Sequence, residues 1–550
     1  MFQKLKKKLP DVLLFCFVFF IFVMPVVMLF IMSITTENGY GINNYLVLMA
    51  EKRTQKAIIN TIIIAVCSTL IAMFFGTIMA FVVAYTNIRF KKIVEALVLM
   101  PYVIPSYVVT LSWSNLFMAN GSINKFLKSI GIPVINIYSI GGIVLVMGIC
   151  NIPVVYLIVI SMLRKIPTDM EWASRASGYS VMETMKKIDL VQVMPAVVNG
   201  SVLAFLAAID NFSVPAFLGI SAGIPVLSTY IYEKAISFGP TAFNSAAVLS
   251  VLLSVIALTG SILQNRLVKK RSDSESIKED YTERILLTKG KRTILEIVCI
   301  ICLIAVNVVP LISMFTSSFV KLFGQKISAK TFTLENYRFV LTNQGIRKAI
   351  LNSLFLAVFT CALCILIGTA IAYIKIRKKS KAAGLAESAA SLTYALPGIV
   401  LSLAMIFYWS RIPNVYGTIR ILMIAYITRY LILQIKGSTT ALLSVDESLE
   451  EAARVGGSNP FRTWFRILIP LITKPVLSGS FMIFVSAMTE LTLSSMLAAA
   501  GTKTIGLTIF NLQQGGDYNK SAAMSAIIVL LLAAGYVIKI FIKKREEGIK

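Results

Sequence analysis

Apolar runs long enough to cross a bilayer recur along this chain, and they constrain its fold more than any other feature. A helical span needs about 20 residues to cross roughly 30 Å of hydrocarbon. Such runs lie at 11–34, 57–86, 94–117, 138–163, 192–218, 243–265, 294–317, 349–374, 386–410, 415–435, 471–498 and 521–542, and 387–435 is the stretch with the softest boundaries. Twelve spans are therefore expected. Inside hydrocarbon each backbone polar group must find a partner within its own segment, so runs of this length fold as helices. Hydrophobic residues make up 57% of the 550, more than a soluble core of that size can enclose. The expected fold class is an all-α polytopic membrane protein.

Basic residues then set the orientation, because cytoplasmic loops retain Lys and Arg. With Lys4, Lys6, Lys7 and Lys8 inside, about two thirds of the 53 Lys and Arg residues fall on the cytoplasmic side. The other side holds the remainder, six of them in the 318–348 loop. Both termini are expected in the cytoplasm. The net charge of +27 is spread over loops and forms no continuous face. It fits contact with anionic membrane lipid and gives no sign of a nucleic-acid partner. The basic start leads into an apolar run too long for a signal peptide and without a small-residue cleavage pattern, so it reads as an uncleaved first span.

Histidine is absent, which excludes imidazole ligands and Ser-His-Asp chemistry. No G-x-x-x-x-G-K-[ST] phosphate loop occurs, so no means of hydrolysing nucleotide is visible. The C-x-x-C spacings Cys299/Cys302 and Cys361/Cys364 lie inside apolar spans, where thiols pack as small hydrophobes. Neither an enzyme nor a metal site is expected, and no cofactor within the chain.

The sequence is also a duplication. KAIINTIIIAV (56–66) returns as KAILNSLFLAV (348–358), and FFGTIMAF near Gly76 returns at the same offset as LIGTAIAY near Gly368. Asn44-Tyr45 matches Asn336-Tyr337 at that offset too. Gly178 matches Gly457, and Gly200-Ser201 matches Gly479-Ser480, at a second and slightly shorter one. Six spans per copy make a parallel repeat, both copies in one membrane orientation. The expected organisation is a first domain at 1–265, a polar, solvated cytoplasmic linker at 266–292 and a second domain at 293–550.

Each copy interrupts itself once, between its fourth and fifth spans, with a charged helical segment: 167–190 and 444–470. Thr168 with Glu171, and Ser444 with Glu447, fit a capping box. Glu450 and Glu451 suit the start of a helix, Ala452 and Ala453 allow close approach, and Gly457 permits a sharp turn. Phe461, Trp464 and Phe465 follow at helical spacing, interleaved with Arg462 and Arg466. A short helix, a bend and an amphipathic second helix are expected. An acidic first turn is a poor match for anionic lipid, and two equivalent projections suit a two-fold partner.

EEAARVGGSNPFRTWFRILIP (450–470) resembles the EAA loop of ABC importer permeases, the element that docks into the ATPase subunit. Glu451, Ala452, Ala453, Gly457 and Pro470 match that pattern, with Glu450 beside them. The first copy keeps Ala173 and Gly178, has Glu171 one residue early with Trp172 at the glutamate position, and replaces the second alanine by Ser174 and the proline by Val191. The resemblance covers the whole chain as two fused six-span permease domains of the type I kind. It implies two copies of an ABC ATPase carrying ATP-Mg, and an extracellular or periplasmic solute-binding protein.

Polar residues in apolar spans mark candidate translocation positions. FLAAIDNFSVPAFLG (205–219) aligns with FVSAMTELTLSSMLA (484–498), setting Asp210 and Asn211 against Thr489 and Glu490, with Pro215 breaking one helix. Asn60 and Asn352 are weaker candidates, as are the kinks at Pro101, Pro105 and Pro397. NFSVPAFLG and AGTKTIGLTIFNLQQGG resemble the ferric-iron branch of the family, with aminoethylphosphonate, thiamine and polyamine permeases as near relatives. A 12-helix ion-coupled secondary transporter is the alternative of another class, although neither YTNIRFKK nor KIRKKSK fits its loop motif.

Overall fold

A computed structural model describes residues 11–547 apart from 13, 37, 38, 119, 120, 238, 240, 269–278 and 326. Lys4, Lys6, Lys7 and Lys8, from which the orientation is read, lie outside the described residues. Among the described residues, nine helices are long and apolar enough to cross a membrane, and two bent helix pairs raise the number to eleven if each pair is one span. The remaining expected span is the helix Ile419–Leu443, whose Arg420, Arg429 and Lys436 keep it out of that set.

The expected straight spans at 94–117 and 386–410 are the bent pairs. They turn by 103° and 114°, at the repeat-equivalent residues Pro105 and Pro397, which share a φ of −55° and a ψ of 140°. A proline pushes the residue before it out of helical geometry, and Ile104 and Leu396 are accordingly extended. Pro101, by contrast, is accommodated inside the helix Lys91–Val103. Past each break, Tyr107–Leu116 and Gly398–Phe407 are buried at every residue. The second is apolar all round but for Ser402, as a fully buried helix usually is, whereas the first buries Thr110, Ser112, Ser114 and Asn115 with its apolar residues. The bend at Pro397 also frees carbonyls, and Arg429 satisfies them: its guanidinium donates to Tyr394 O at 3.2 Å and Leu396 O at 2.6 Å.

The fifth spans are also shorter than expected. They end at Asp210 and Met488 and resume as the short helices Ser213–Leu218 and Thr492–Leu497. Pro215 does not cause the first break. It sits in the opening turn of the next helix, where its missing N–H costs nothing.

The chain divides into two compact units. One is Ala50–Tyr230, Val255–Leu341 and Ile509–Lys550; the other is Met1–Met49, Ile231–Ser254 and Thr342–Thr508. In the first, Lys52–Tyr85 packs on Ile140–Leu163 so closely at Gly76 that an added Cβ would stand 2.9 Å from Val155 Cβ. In the second, Gln344–Lys378 packs on Ile419–Leu443, and a Cβ on Gly368 would meet Gln434 Cγ at 2.8 Å. Small residues at such crossings let backbones approach where lipid supplies no hydrophobic drive.

These units differ from the sequence halves 1–265 and 293–550, because each takes its first span and a late segment, Ile231–Ser254 or Ile509–Lys550, from the other half. Val309–Ser318 packs on Ser106–Phe117 in one unit, and Met24–Ile34 packs on Gly398–Trp409 in the other. The repeat persists in the anchor of those borrowed spans. Tyr45 pairs with Ser33, and Tyr337 with Ser318, at 2.7 Å each.

Candidate functional site: twin helix–glycine–helix loops

The two charged segments fold alike, feature by feature and in the register that matches Gly178 to Gly457. In the second copy the helix Ser448–Val455 ends at Gly457 with φ +78°. The amide of Gly457 donates to Arg454 O at 3.0 Å and that of Ser458 to Ala453 O at 2.9 Å, the paired bonds that close a helix through a left-handed residue. Asn459 then caps Pro460–Thr463 by accepting from the Arg462 amide at 2.8 Å. In the first copy Thr168–Ala176 ends at Gly178 with φ +90°, and Gly178 and Tyr179 donate to Arg175 O and Ser174 O at 3.0 and 3.3 Å. Ser180 caps Val181–Thr184 there, in a reciprocal pair with Glu183. Both second helices pass through one π-helical stretch, Met185–Asp189 and Trp464–Leu468, into the fifth spans.

The capping boxes expected at Thr168/Glu171 and Ser444/Glu447 do not form. Thr168 turns its hydroxyl to Asp280, Ser444 closes the preceding helix, and Glu447 makes no side-chain cap. Stronger partners take the first carboxylate. Glu171 pairs with the guanidinium of Arg284, and a charged donor inside protein outweighs a neutral amide. The box forms one helix later, at Ser180 and Glu183, which sequence reading passes over.

Each first helix has a buried and an open face. Glu450 is 1% exposed and accepts from Arg377 at 2.6 Å; Glu171 is 3% exposed. Glu451, Ala452, Gly457 and Pro470 are exposed, with Ala453 half-buried. Trp172, Ala173 and Gly178 are exposed in the first copy. The adjacent glutamates therefore do different work. Glu450, matched by Glu171, anchors the helix, while Glu451, matched by Trp172, faces outward. The first copy departs from the family pattern at exposed Trp172 and Val191 and at buried Ser174, and keeps its anchor. Trp464 packs edge-on against Tyr373 of Gln344–Lys378 at 4.4 Å, which seats the second helix of its loop, while Phe461 and Phe465 meet at 4.5 Å on its exposed side.

The residues proposed for the path cap and tie. Asn211 accepts from the Val214 amide and Glu490 from the Leu493 amide, 3.0 Å each, so equivalent side chains start the short helices beyond the break. Glu490 also takes the Tyr430 hydroxyl. Asp210 is the last residue of its helix, and Thr489 bonds back to Val485 O at 2.9 Å. Asn60 donates to Pro225 O at 2.9 Å, and Asn352 to Gly501 O and Lys503 O at 3.2 and 3.0 Å; both tie a loop to their helix. All seven cysteines are free thiols. Among the described residues, no three Cys, Asp or Glu side chains gather as a metal-ligand set.

Sequence comparison matches two stretches, 72–273 and 364–545, to the family described as "Binding-protein-dependent transport system inner membrane component". A ferric transport system permease protein of Actinobacillus pleuropneumoniae is 26% identical over 94% of this chain and 75% of its own length. An Fe(3+)-transport system permease protein of Haemophilus influenzae is 22% identical over 95% of this chain and 96% of its own. The sulfate transport system permease protein CysT of Salmonella typhimurium is 25% identical over 38% of this chain and 75% of its own. The chain belongs to the binding-protein-dependent transport system inner membrane components, the permeases of ABC importers, and carries that domain twice.

Proposed function

We propose that this chain is the transmembrane permease subunit that forms the translocation path of an ATP-driven importer of ferric iron in a bacterial inner membrane, with both termini in the cytoplasm. The observation that carries the coupling reading is the pair of helix–glycine–helix loops, each with a buried anchor and an open face. Two ATPase copies carrying ATP-Mg receive one loop each. Contact falls on Trp172, Ala173 and Gly178 in one copy and on Glu451, Ala452, Ala453 and Gly457 in the other. A loop of this build transmits force because it runs into its span without a break: Val181–Asp210 and Pro460–Met488 are continuous helices of 30 and 29 residues. They deliver motion to the breaks at Asp210-Asn211 and Thr489-Glu490, the proposed translocation positions, where a capped junction can exist in two arrangements. ATP energy becomes movement only through contacts that differ between those states.

Similarity to ferric permeases along at least nine tenths of the chain supports iron over aminoethylphosphonate, thiamine or a polyamine. The metal is cargo, held by the binding protein on delivery. The ion-coupled alternative draws no support from the family match. The test is uptake of radiolabelled ferric ion by cells with and without this chain, with the other solutes as competitors. ATP-dependent ferric uptake that they leave unchanged is expected; uptake of one of them in place of iron would overturn the cargo.

A further inference from the structure

The mixed charges of the segment joining the two halves predict solvated chain, yet its described part is docked. Within one compact unit, the amides of Arg284 and Ile285 both donate to Tyr85 O at 2.9 Å. Asn87 and Leu287 exchange side-chain and backbone bonds of 3.2 and 3.0 Å. The Asp280 amide donates to Arg164 O at 2.6 Å, Glu283 meets Lys91 at 3.2 Å, and Arg164 lies 4.9 Å over the Tyr281 ring. The stretch 279–288 thus lies along the ends of two membrane helices and the start of the first-copy loop.

Its centre is Arg284, whose side chain is 2% exposed. It donates to Tyr85 OH at 2.7 Å, to Glu171 and to Ile166 O. In the other unit Arg377 donates to Glu450 at 2.6 Å and to Val445 O at 2.7 Å. Glu171 matches Glu450, and Ile166 matches Val445, in the register of the two loops. The two guanidinium groups hold the same carboxylate and the same carbonyl of each repeat. They reach it from different places, however. Arg377 belongs to the membrane helix Gln344–Lys378, and its counterpart in the first copy, at the end of Lys52–Tyr85, is Tyr85.

We propose that residues 279–288 form a strap and that Arg284 is the positioning residue of the first coupling helix, replacing an arginine its own membrane helix lacks. The proposal rests on the coupling reading of the loops. Without Arg284, Glu171 and Asp189, both buried and the latter 4.0 Å from Arg284, lose the charge between them. Arg175 stands 3.8 Å from Glu171 but is engaged with the Arg284 carbonyl. The strap leads directly into the helix Lys289–Leu303. One peptide therefore holds both the first lever and the start of the span that the second half lends to that unit. Fusion of the halves is then part of the coupling machinery.

The test uses the full chain with its ATPase and binding protein, reading ferric uptake together with hydrogen exchange of the two loops. Arg284→Ala is expected to lower uptake at least about fivefold, the lower end of ordinary coupling between sites. It speeds exchange in 168–176 and leaves 448–455 unchanged. Adding Tyr85→Arg restores both readouts, because that arginine starts where Arg377 starts in the other copy. Arg377→Ala is the control, opening 448–455 instead. Uptake untouched by Arg284→Ala, at normal protein level and with Arg377→Ala impaired, overturns the strap alone. Uptake untouched by both, with the loops opened, overturns the coupling reading. If Arg284→Ala does not accumulate, the double variant decides: uptake restored supports the strap, and a folded double variant without uptake overturns it. Should the chain move a solute other than ferric ion, the exchange readout still decides.

Discussion

Replacing Gly457 by alanine separates two reasons for a glycine at the apex of the loop. Its φ of +78° lies in the left-handed region, and a Cβ built there meets nothing within 4 Å. The penalty in the free chain is therefore backbone strain alone, about 1–2 kcal/mol, which opens the turn roughly 5–30-fold more often. The assay is exchange of the Gly457-position and Ser458 amides, whose bonds to Arg454 O and Ala453 O close the turn, in purified chain without ATPase. Alanine should speed exchange within that range, and Gly457→Asn by less, because asparagine tolerates left-handed geometry. Gly178, with φ +90° and equally open space, should behave the same way. Alanine exchanging no faster than glycine would refute the strain argument. Asparagine exchanging faster than alanine would refute it as well, showing that size at the apex decides.

Other perturbations follow from the packing. Gly76→Val places atoms where a Cβ already stands 2.9 Å from Val155, and should cost about 1–3 kcal/mol of overpacking; thermal melting in detergent reads it, with Gly384→Ala, which sits in the helix Lys381–Ala395 and meets nothing within 4 Å, as the control whose melt should not fall. Arg429→Ala leaves the carbonyls of Tyr394 and Leu396 without their donor, about 1–3 kcal/mol for each one left unpaired, and the same melt should fall by more than for Arg420→Ala. Strap docking should depend on acid. Burial alone pushes the Asp280 carboxyl up, but bonds from Thr168 and Thr282 and the Arg284 charge outweigh it and bring it down to about 2. A carboxylate with a lowered folded pKa stabilises fully above its unfolded value, about 3.9, and loses that contribution as pH falls toward 2. Protection of the 279–288 amides, taken relative to the intrinsic exchange rate at each pH, should fall across that window, and Asp280→Asn should lessen the fall.

The repeat is legible because polar and small residues recur at fixed spacing inside apolar helices. Asn60 with Asn352, Gly76 with Gly368, and Gly178 with Gly457 each prove to hold equivalent places in their own copies. The helix, bend and second helix of the loop are legible for the same reason, since Ala, Gly and aromatic spacing are local signals. Four features escape, the last in part. The capping carboxylates are misassigned because Glu171 has a stronger partner in Arg284, far along the chain, which no local window contains. Arg284 is hidden because a run of mixed charges reads as solvated chain, whereas its burial depends on a tyrosine standing at the end of Lys52–Tyr85 where the other copy has an arginine. The exchange of first spans and of the late segments Ile231–Ser254 and Ile509–Lys550 leaves no local trace, because a helix between two loops is equally apolar whichever unit it joins. The breaks at Pro105 and Pro397 are visible as kinks, but not that the helices beyond them are buried on all sides.

Photocrosslinking in intact membranes bears most directly on the twin-lever account. A crosslinking amino acid at Trp172, and separately at Glu451, is predicted to capture the ATPase subunit from both positions, while one at Ser129, at the far end of the first bent pair, captures none. Capture from neither loop, or equal capture from Ser129, would contradict it.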